Sequence, residues 1–226
     1  KGTWYSGDTG RADHLNISFD EALASHQNWW EQYWKQSSVV AGYTLGETMD
    51  LEMYKFAAAS RKNAPPICLQ AIWRADNEQT PPWREISTVT EHTIKLWAGY
   101  TANHLEESAV FTDWLWRIKE NSEQFTRQFF QVEGLNVPCI ATLTGQPSVG
   151  GIRTSFTYYG RMAVLSFLPT MEDGMDSQFL KERAYPWVKE VARFFENVSI
   201  YDKQGKRKLP LSSSPEINDN RMMPGL

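Results

Sequence analysis

The segment SFDEALASHQNWWEQYWK, residues 18–35, contains the strongest structural signal in the chain. Its first four residues form a capping box, because Ser18 can accept a hydrogen bond from the Glu21 backbone while the Glu21 carboxylate reaches back to Ser18. Residues at steps of three or four then mark one helix face: Phe19, Leu23, His26, Trp30 and Tyr33. The pattern predicts a helix that runs toward Lys35.

Helical signals continue along the chain. We expect a second helix from about Glu47 to Arg61, ended by the prolines that follow, and a third after Asn103. The third would carry the apolar residues Leu105, Phe111, Leu115 and Trp116. Residues 176–199 predict two helical pieces, because Pro186 fits the first turn of a new helix. Together these patterns predict an all-α fold.

Two long segments, residues 65–83 and 134–151, are rich in Pro, Gly, Thr and Trp and show no sustained period. We interpret them as ordered loops, and loops of this length in a helical protein are usually functional. Residues 199–201 and 208–209 flank Lys203-Gln204-Gly205 and predict a small β-hairpin. The layout suggests a ring of helices with the functional loops at one end.

The composition indicates a globular domain and argues against two kinds of partner. Of the 226 residues 41% are hydrophobic, and the net charge is −4. A core can therefore form, but no basic stripe is available to neutralise phosphates, so we expect no nucleic acid partner. No apolar run approaches the roughly 20 residues that span a bilayer, so we expect no membrane partner. The first residues show no signal pattern, and the compartment stays open.

The cysteine and tryptophan counts bear on metals and ligands. Cys68 and Cys139 lie in apolar contexts and outside any CxxC or Cys/His spacing, so we expect buried thiols and no metal site. Ten tryptophans are unusual for this length. Aromatic rings stack on sugar faces but also fill ordinary cores, so their number only favours a carbohydrate ligand.

A series of short segments, in one order over nearly the whole chain, resembles glycoside hydrolase family 95, the α-L-fucosidase and α-L-galactosidase group. They are His26-Gln27-Asn28-Trp29-Trp30, Ala59-Ser60-Arg61, Leu69-Gln70-Ala71-Ile72-Trp73, Pro81-Pro82-Trp83, Asn103-His104-Leu105-Glu106-Glu107, Gly134-Leu135-Asn136-Val137-Pro138, Tyr185-Pro186-Trp187 and Ser212-Ser213-Ser214-Pro215-Glu216. The resemblance implies an (α/α)6 toroid, twelve helices in two concentric rings. We expect residues 1–226 to supply about its first half, as an incomplete catalytic domain.

The resemblance also implies a reaction, the inverting hydrolysis of terminal α-L-fucosyl or α-L-galactosyl residues of an oligosaccharide. It places the general acid at Glu216. An inverting glycosidase needs one protonated carboxyl at the leaving oxygen and a second group, roughly 6.5–9.5 Å away, that activates water on the opposite face. The family's water-activating Asp lies downstream of Leu226. This mechanism implies no cofactor.

Further site candidates are less specific. The resemblance matches Trp73, Trp83 and Trp97 to tryptophans near the family's sugar pocket, although each could also be a packing residue. His104 with Glu106 and Glu107 could form a metal or acid–base cluster. We prefer a structural interpretation there, because the helix dipole favours acidic residues in the first turn of a helix.

Two windows, residues 85–96 and 158–174, depart from the family pattern. In the first, the family carries a stretch similar to Asp-Leu-Asn-Thr-Gln-Leu-Ser-Tyr, whose asparagine helps to orient the attacking water. Codons chosen for residues 90–96 and read one base later spell Leu-Asn-Thr-Gln-Leu-Ser-Tyr. Shifted frames also restore family-like sequence in the second window and in residues 221–226. We infer frameshifts at these places and expect the chain as written to be inactive.

Two other classes of function stay open. A carbohydrate-binding pseudoenzyme would keep the aromatic pocket and bind sugar without turnover. A helical interaction module would dock its exposed helix faces on a partner and form a stable complex. The shifted-frame matches favour the damaged enzyme, because selection for a new role would not preserve the old motif in a neighbouring frame.

Overall fold

The computed structural model describes residues 17–38, 42–62, 64–67, 87–88, 97–138, 140–147, 167 and 176–209. Its helices are α1 (Phe19–Lys35), α2 (Tyr43–Ala59), α3 (Leu105–Arg117), α4 (Lys119–Phe130), α5 (Ser177–Phe179) and α6 (Tyr185–Val198), and residues 97–101 are also helical. Strand β1 (Ser87–Thr88) pairs with β2 (Ile140–Ala141), and β3 (Ile200–Tyr201) pairs with β4 (Arg207–Lys208), both antiparallel. The predicted all-α fold with a small hairpin is confirmed.

Helix α1 begins at the predicted capping box. The Ser18 hydroxyl accepts from the Glu21 N–H at 3.2 Å, and the Glu21 carboxylate accepts from the Ser18 N–H at 2.8 Å. The predicted face is buried only toward its C-terminal end, since Tyr33 is fully buried and Phe19 is 77% exposed. The Tyr33 hydroxyl donates to the Met53 carbonyl oxygen at 3.1 Å and so ties α1 to α2.

Helix α2 begins earlier than predicted, at Tyr43, and ends at Ala59. Gly46 lies inside its first turns, and an interior glycine disfavours a helix by about 1 kcal/mol, which is why the sequence favoured a later start. The Thr48 hydroxyl donates to the Thr44 carbonyl oxygen at 2.9 Å within this extension. The extra turn therefore forms despite a weak local preference.

Residues 177–198 form one helical run, where Pro186 had predicted two separate pieces. The run is continuous because Leu180–Ala184 adopt a π-helical turn, closed by a bond from the Tyr185 N–H to the Leu180 carbonyl oxygen. Pro186 lies in the first turn of α6, as predicted. The wider turn accommodates both the ring and the missing N–H of the proline.

The buried apolar residues form two clusters. The larger lies among α3, α6 and residues 135–141 and contains Trp114, Leu115, Leu135, Val137 and Trp187. The smaller, between α1 and α2, contains Tyr33, Met53, Ala57 and Ala102. Phe56 of α2 packs against both clusters, so it links the two parts of the core.

Residues 134–138 and 140–147, the described part of one predicted loop, are held by side chains of α3 and α4, and Cys139 lies outside the described residues. The Trp114 indole N–H donates to the Leu143 carbonyl oxygen at 2.8 Å, and the Asn121 amide donates to the Thr144 carbonyl oxygen at 2.6 Å. Strand β2 pairs this segment with residues 87–88, a contact that the sequence analysis did not predict. Most of the other predicted loop, residues 68–83, lies outside the described residues.

Both α1 and α2 carry exposed apolar side chains, namely Phe19, Leu23, Trp34, Tyr43, Leu45, Leu51 and Tyr54. Others lie at residues 180–188, in the hairpin of β3 and β4, and at Ile17 and Trp97. Within the described ranges, no helix is both long enough and apolar enough to cross a membrane.

Candidate functional site

Three of the segments that resemble the family meet where α1, the end of α2 and the first turn of α3 come together. The Ser60 hydroxyl donates to the Glu107 carbonyl oxygen at 2.7 Å. The Arg61 guanidinium lies over Trp29, 3.9 Å from the ring centroid. We call this place the α1–α2–α3 junction and define it by Tyr33, Ser60, Arg61, His104 and Glu107.

The family-like segment at residues 134–138 packs on α6, whose first turn carries another, Tyr185-Pro186-Trp187. The Leu135 N–H donates to the Glu190 carbonyl oxygen at 3.0 Å, and Gly134 lies against the backbone of Phe194. The Asn197 amide donates to the Glu133 carbonyl oxygen at 2.9 Å. This second contact fixes residues 133–138 on α6 and completes the larger cluster of the core.

At the junction, the His104 ring contacts Tyr33 with one face and Gln36 with one edge. Its ring stacks on Tyr33 with the centroids 3.8 Å apart and an angle of 13° between the planes. Its Nδ1 atom lies 3.2 Å from Gln36 Oε1, and because an amide oxygen only accepts, Nδ1 carries the proton in this arrangement. The preceding residue, Asn103, has a left-handed backbone (φ 60°), and its amide donates to the Gln36 carbonyl oxygen at 3.1 Å.

Glu107 is a buried carboxyl at the junction. It is 3% exposed, and its Oε2 atom has no hydrogen-bond partner. Burial raises the pKa of Glu107; its backbone hydrogen bond and nearby Arg61 oppose the rise, while Glu106 adds to it. Burial also lowers the pKa of His104 and raises that of Tyr33. The junction therefore favours the uncharged form of all three groups.

The two adjacent glutamates of α3 have different surroundings. Glu106 is exposed, with its carboxylate 4.0 Å from the Lys62 ammonium, whereas Glu107 points inward. Among the described residues, no group of three or more potential metal ligands is found. Sequence reasoning missed the burial of Glu107, although a signal was present: Phe111 and Trp114 follow it by four and seven residues, on the apolar face of the helix.

Of the predicted site residues, Trp97 lies in the described part of the chain. It is 50% exposed at the start of the helical residues 97–101, so its ring is accessible to a ligand. Glu216, Trp73 and Trp83 lie outside the described residues. The mismatched windows also lie outside them, apart from residues 87–88 and Phe167.

The Glu107→Gln variant should show a pH-dependent gain in stability. Because the folded state raises the pKa of this carboxyl, the contribution of Glu107 to stability is present below its ordinary pKa and is lost as the pH rises through the folded pKa. The neutral amide removes that loss, so we expect a gain of about 1 kcal/mol at pH 7 that disappears near pH 4. Urea denaturation of both proteins across this range measures it. Glu106→Gln, the exposed neighbour, is the control, and an equal gain in that variant would contradict the interpretation.

The comparison with known proteins agrees with the segments described above. The family model described as the glycosyl hydrolase family 95 catalytic domain matches residues 44–223, most of the chain. The match includes the described junction residues Ser60, Arg61, His104 and Glu107 and extends past Glu216. No curated protein is a significant match to the chain. Since the family match covers this much of the sequence, the chain belongs to glycoside hydrolase family 95.

Proposed function

We propose that the enzyme to which this chain belongs hydrolyses terminal α-L-fucosyl or α-L-galactosyl residues of oligosaccharides with inversion of configuration. Membership of the family makes the protein a glycoside hydrolase and its substrate a glycan. The observation that carries the proposal is the family match over residues 44–223, which includes Glu216 and all three candidate tryptophans. The choice of an L-sugar rests on the resemblance of the individual segments.

In the proposed reaction, Glu216 donates a proton to the leaving oxygen while a second group activates water on the opposite face of the sugar ring. Trp73, Trp83 and Trp97 would stack on the apolar faces of the sugar. The half-exposed ring of Trp97 supports this role, because a fully buried ring could not reach a ligand. No organic cofactor is needed for this chemistry.

We further propose that residues 1–226 form part of an (α/α)6 toroid and that the chain as written has no turnover. The windows at residues 85–96 and 158–174 lack the family-like sequence, including the asparagine that would orient the attacking water. The exposed apolar faces of α1 and α2 support the proposal of an incomplete helical ring, because such faces are usually covered.

The stereochemistry of the product tests the reaction. The source DNA would be resequenced from the Arg84 codon past the Leu226 codon, and the protein from the restored frame would be given an α-L-fucosylated and, in a separate assay, an α-L-galactosylated oligosaccharide. Inversion predicts β-L-fucose as the first product in proton NMR spectra, before mutarotation. An α-anomer as the first product would contradict inversion, and the absence of any released L-fucose or L-galactose would contradict the proposed substrate.

The resequencing also separates the damaged enzyme from the alternatives. If the frame stands as written, saturable binding of L-fucose by the chain without turnover becomes the expected property. L-galactose serves as the second sugar of the proposed class. D-galactose, its mirror image, serves as the control.

A further inference from the structure

The helical residues that carry Trp97 lie in a narrow slot between α2 and α3. Gly99 fills this slot, because a β-carbon at Gly99 would lie 2.7 Å from the Phe56 ring of α2 and would also overlap the Ser108 hydroxyl of α3. The Tyr100 hydroxyl donates to the Ser108 carbonyl oxygen at 3.2 Å. The placement of Trp97 therefore depends on how far α2 lies from α3.

Ser60, the residue that directly follows α2, joins the two sides of this slot. Its hydroxyl donates to the Glu107 carbonyl oxygen at 2.7 Å, and both residues are buried. Glu107 is the neighbour of Ser108, so the bond acts on the turn of α3 that closes the slot. Because the bond is shielded from water, competition from solvent does not weaken it.

We propose that Ser60 is a positioning residue of the sugar site: by bonding the first turn of α3, its hydroxyl sets the width of the slot around Gly99 and so fixes the ring of Trp97. The inference rests on the proposed role of Trp97 as a sugar contact. Ser60 does not touch the sugar, since its side chain is buried between the two helices.

The consequence for a ligand follows from how aromatic rings hold sugars. Stacking needs the ring face parallel to the apolar face of the sugar, and a small gap or tilt loses much of the dispersion attraction. Loss of the Ser60 bond would let α2 and α3 separate slightly, and the ring of Trp97 would then tilt. The tilt of the Trp97 ring would therefore lower the affinity for the sugar.

Fluorine NMR of the full chain labelled with 5-fluorotryptophan tests this inference. The Trp97 signal is assigned by its loss in Trp97→Phe, and it should move in Ser60→Ala. The affinity of the same chain for L-fucose should fall about fivefold, because a tilted ring keeps only part of its stacking attraction for the sugar. Tyr100→Phe is a second variant, which removes the hydroxyl that ties residues 97–101 to Ser108 of α3 and should move the same signal.

Thr126→Ala is the matched control. Thr126 is also a buried hydroxyl residue that joins a helix to another segment, accepting from the Asn136 N–H at 2.8 Å, but it lies in α4, away from the slot. This variant should leave both the Trp97 signal and the affinity unchanged. An unmoved Trp97 signal in Ser60→Ala, or a moved signal with unchanged affinity, would overturn the positioning role. If L-fucose fails to shift the Trp97 signal of the unaltered chain, the proposed sugar contact itself is wrong.

Discussion

Replacement of Gly134 by alanine should destabilise the protein by about 4 kcal/mol, a large share of the stability of a typical domain. Gly134 has a left-handed backbone, with φ at +116°. A β-carbon there would lie 2.6 Å from the Phe194 α-carbon and 2.8 Å from the Glu190 carbonyl oxygen, and it would overlap the Phe194 nitrogen. All three are backbone atoms of α6, so no side chain can rotate away.

Gly205→Ala is the control for this variant. Gly205 also has a positive φ, +74°, but nothing lies within 4 Å of a β-carbon built at this position. Only backbone strain should remain there, about 1 kcal/mol. Urea denaturation followed by circular dichroism measures both variants, and equal losses would show that steric overlap with α6 is not the cause.

Glu216→Gln should lower turnover of a fucosylated oligosaccharide by about a thousandfold in the enzyme expressed from the restored frame. The glycosidic oxygen of an oligosaccharide is a poor leaving group, so its departure depends on a proton from the general acid. The amide keeps the size of the side chain but cannot donate that proton. Initial rates of sugar release, measured by chromatography, give the effect.

A comparison of substrates with different leaving groups distinguishes a general acid from a residue that only supports the fold. Fluoride leaves without full protonation, so the same variant should hydrolyse α-L-fucosyl fluoride at close to the normal rate. Glu120→Gln, an exposed carboxyl of α4, is the control and should hydrolyse both substrates normally. Equal losses on both substrates in Glu216→Gln would contradict the role of general acid.

Much of the helical framework could be predicted because its signals are local. The capping box at Ser18 and the apolar spacing after Asn103 gave α1 and α3 correctly. Helix α4 was missed because its first residues are polar. Its buried hydroxyl residue Thr126 is compatible with the helix because the hydroxyl donates to the Ser122 carbonyl oxygen at 2.8 Å, a contact that composition does not reveal.

The candidate site was only partly predictable. Family-like segments identified the regions that meet at the α1–α2–α3 junction, but their contacts depend on packing between distant parts of the chain. The bond from Ser60 to Glu107 joins residues 47 positions apart, so no local pattern reveals it. The role of Glu216 stays a prediction of the sequence, since that residue lies outside the described part of the structure.

The π-helical turn at Leu180–Ala184 determines which sides of the helical run the residues before and after it face. Phe179 and Trp187 both stack on Phe167, with ring centroids 6.0 Å and 5.0 Å away. At about 100° a residue, the eight steps between them would leave the two rings about 80° apart around a regular α-helix. One additional residue absorbed by the wide turn reduces this offset to about 20°. The turn therefore brings two aromatic residues of mismatched spacing onto one partner ring. A one-residue deletion within it would leave seven regular α-helical steps, about 700°, and so keep both rings on the same side of the run.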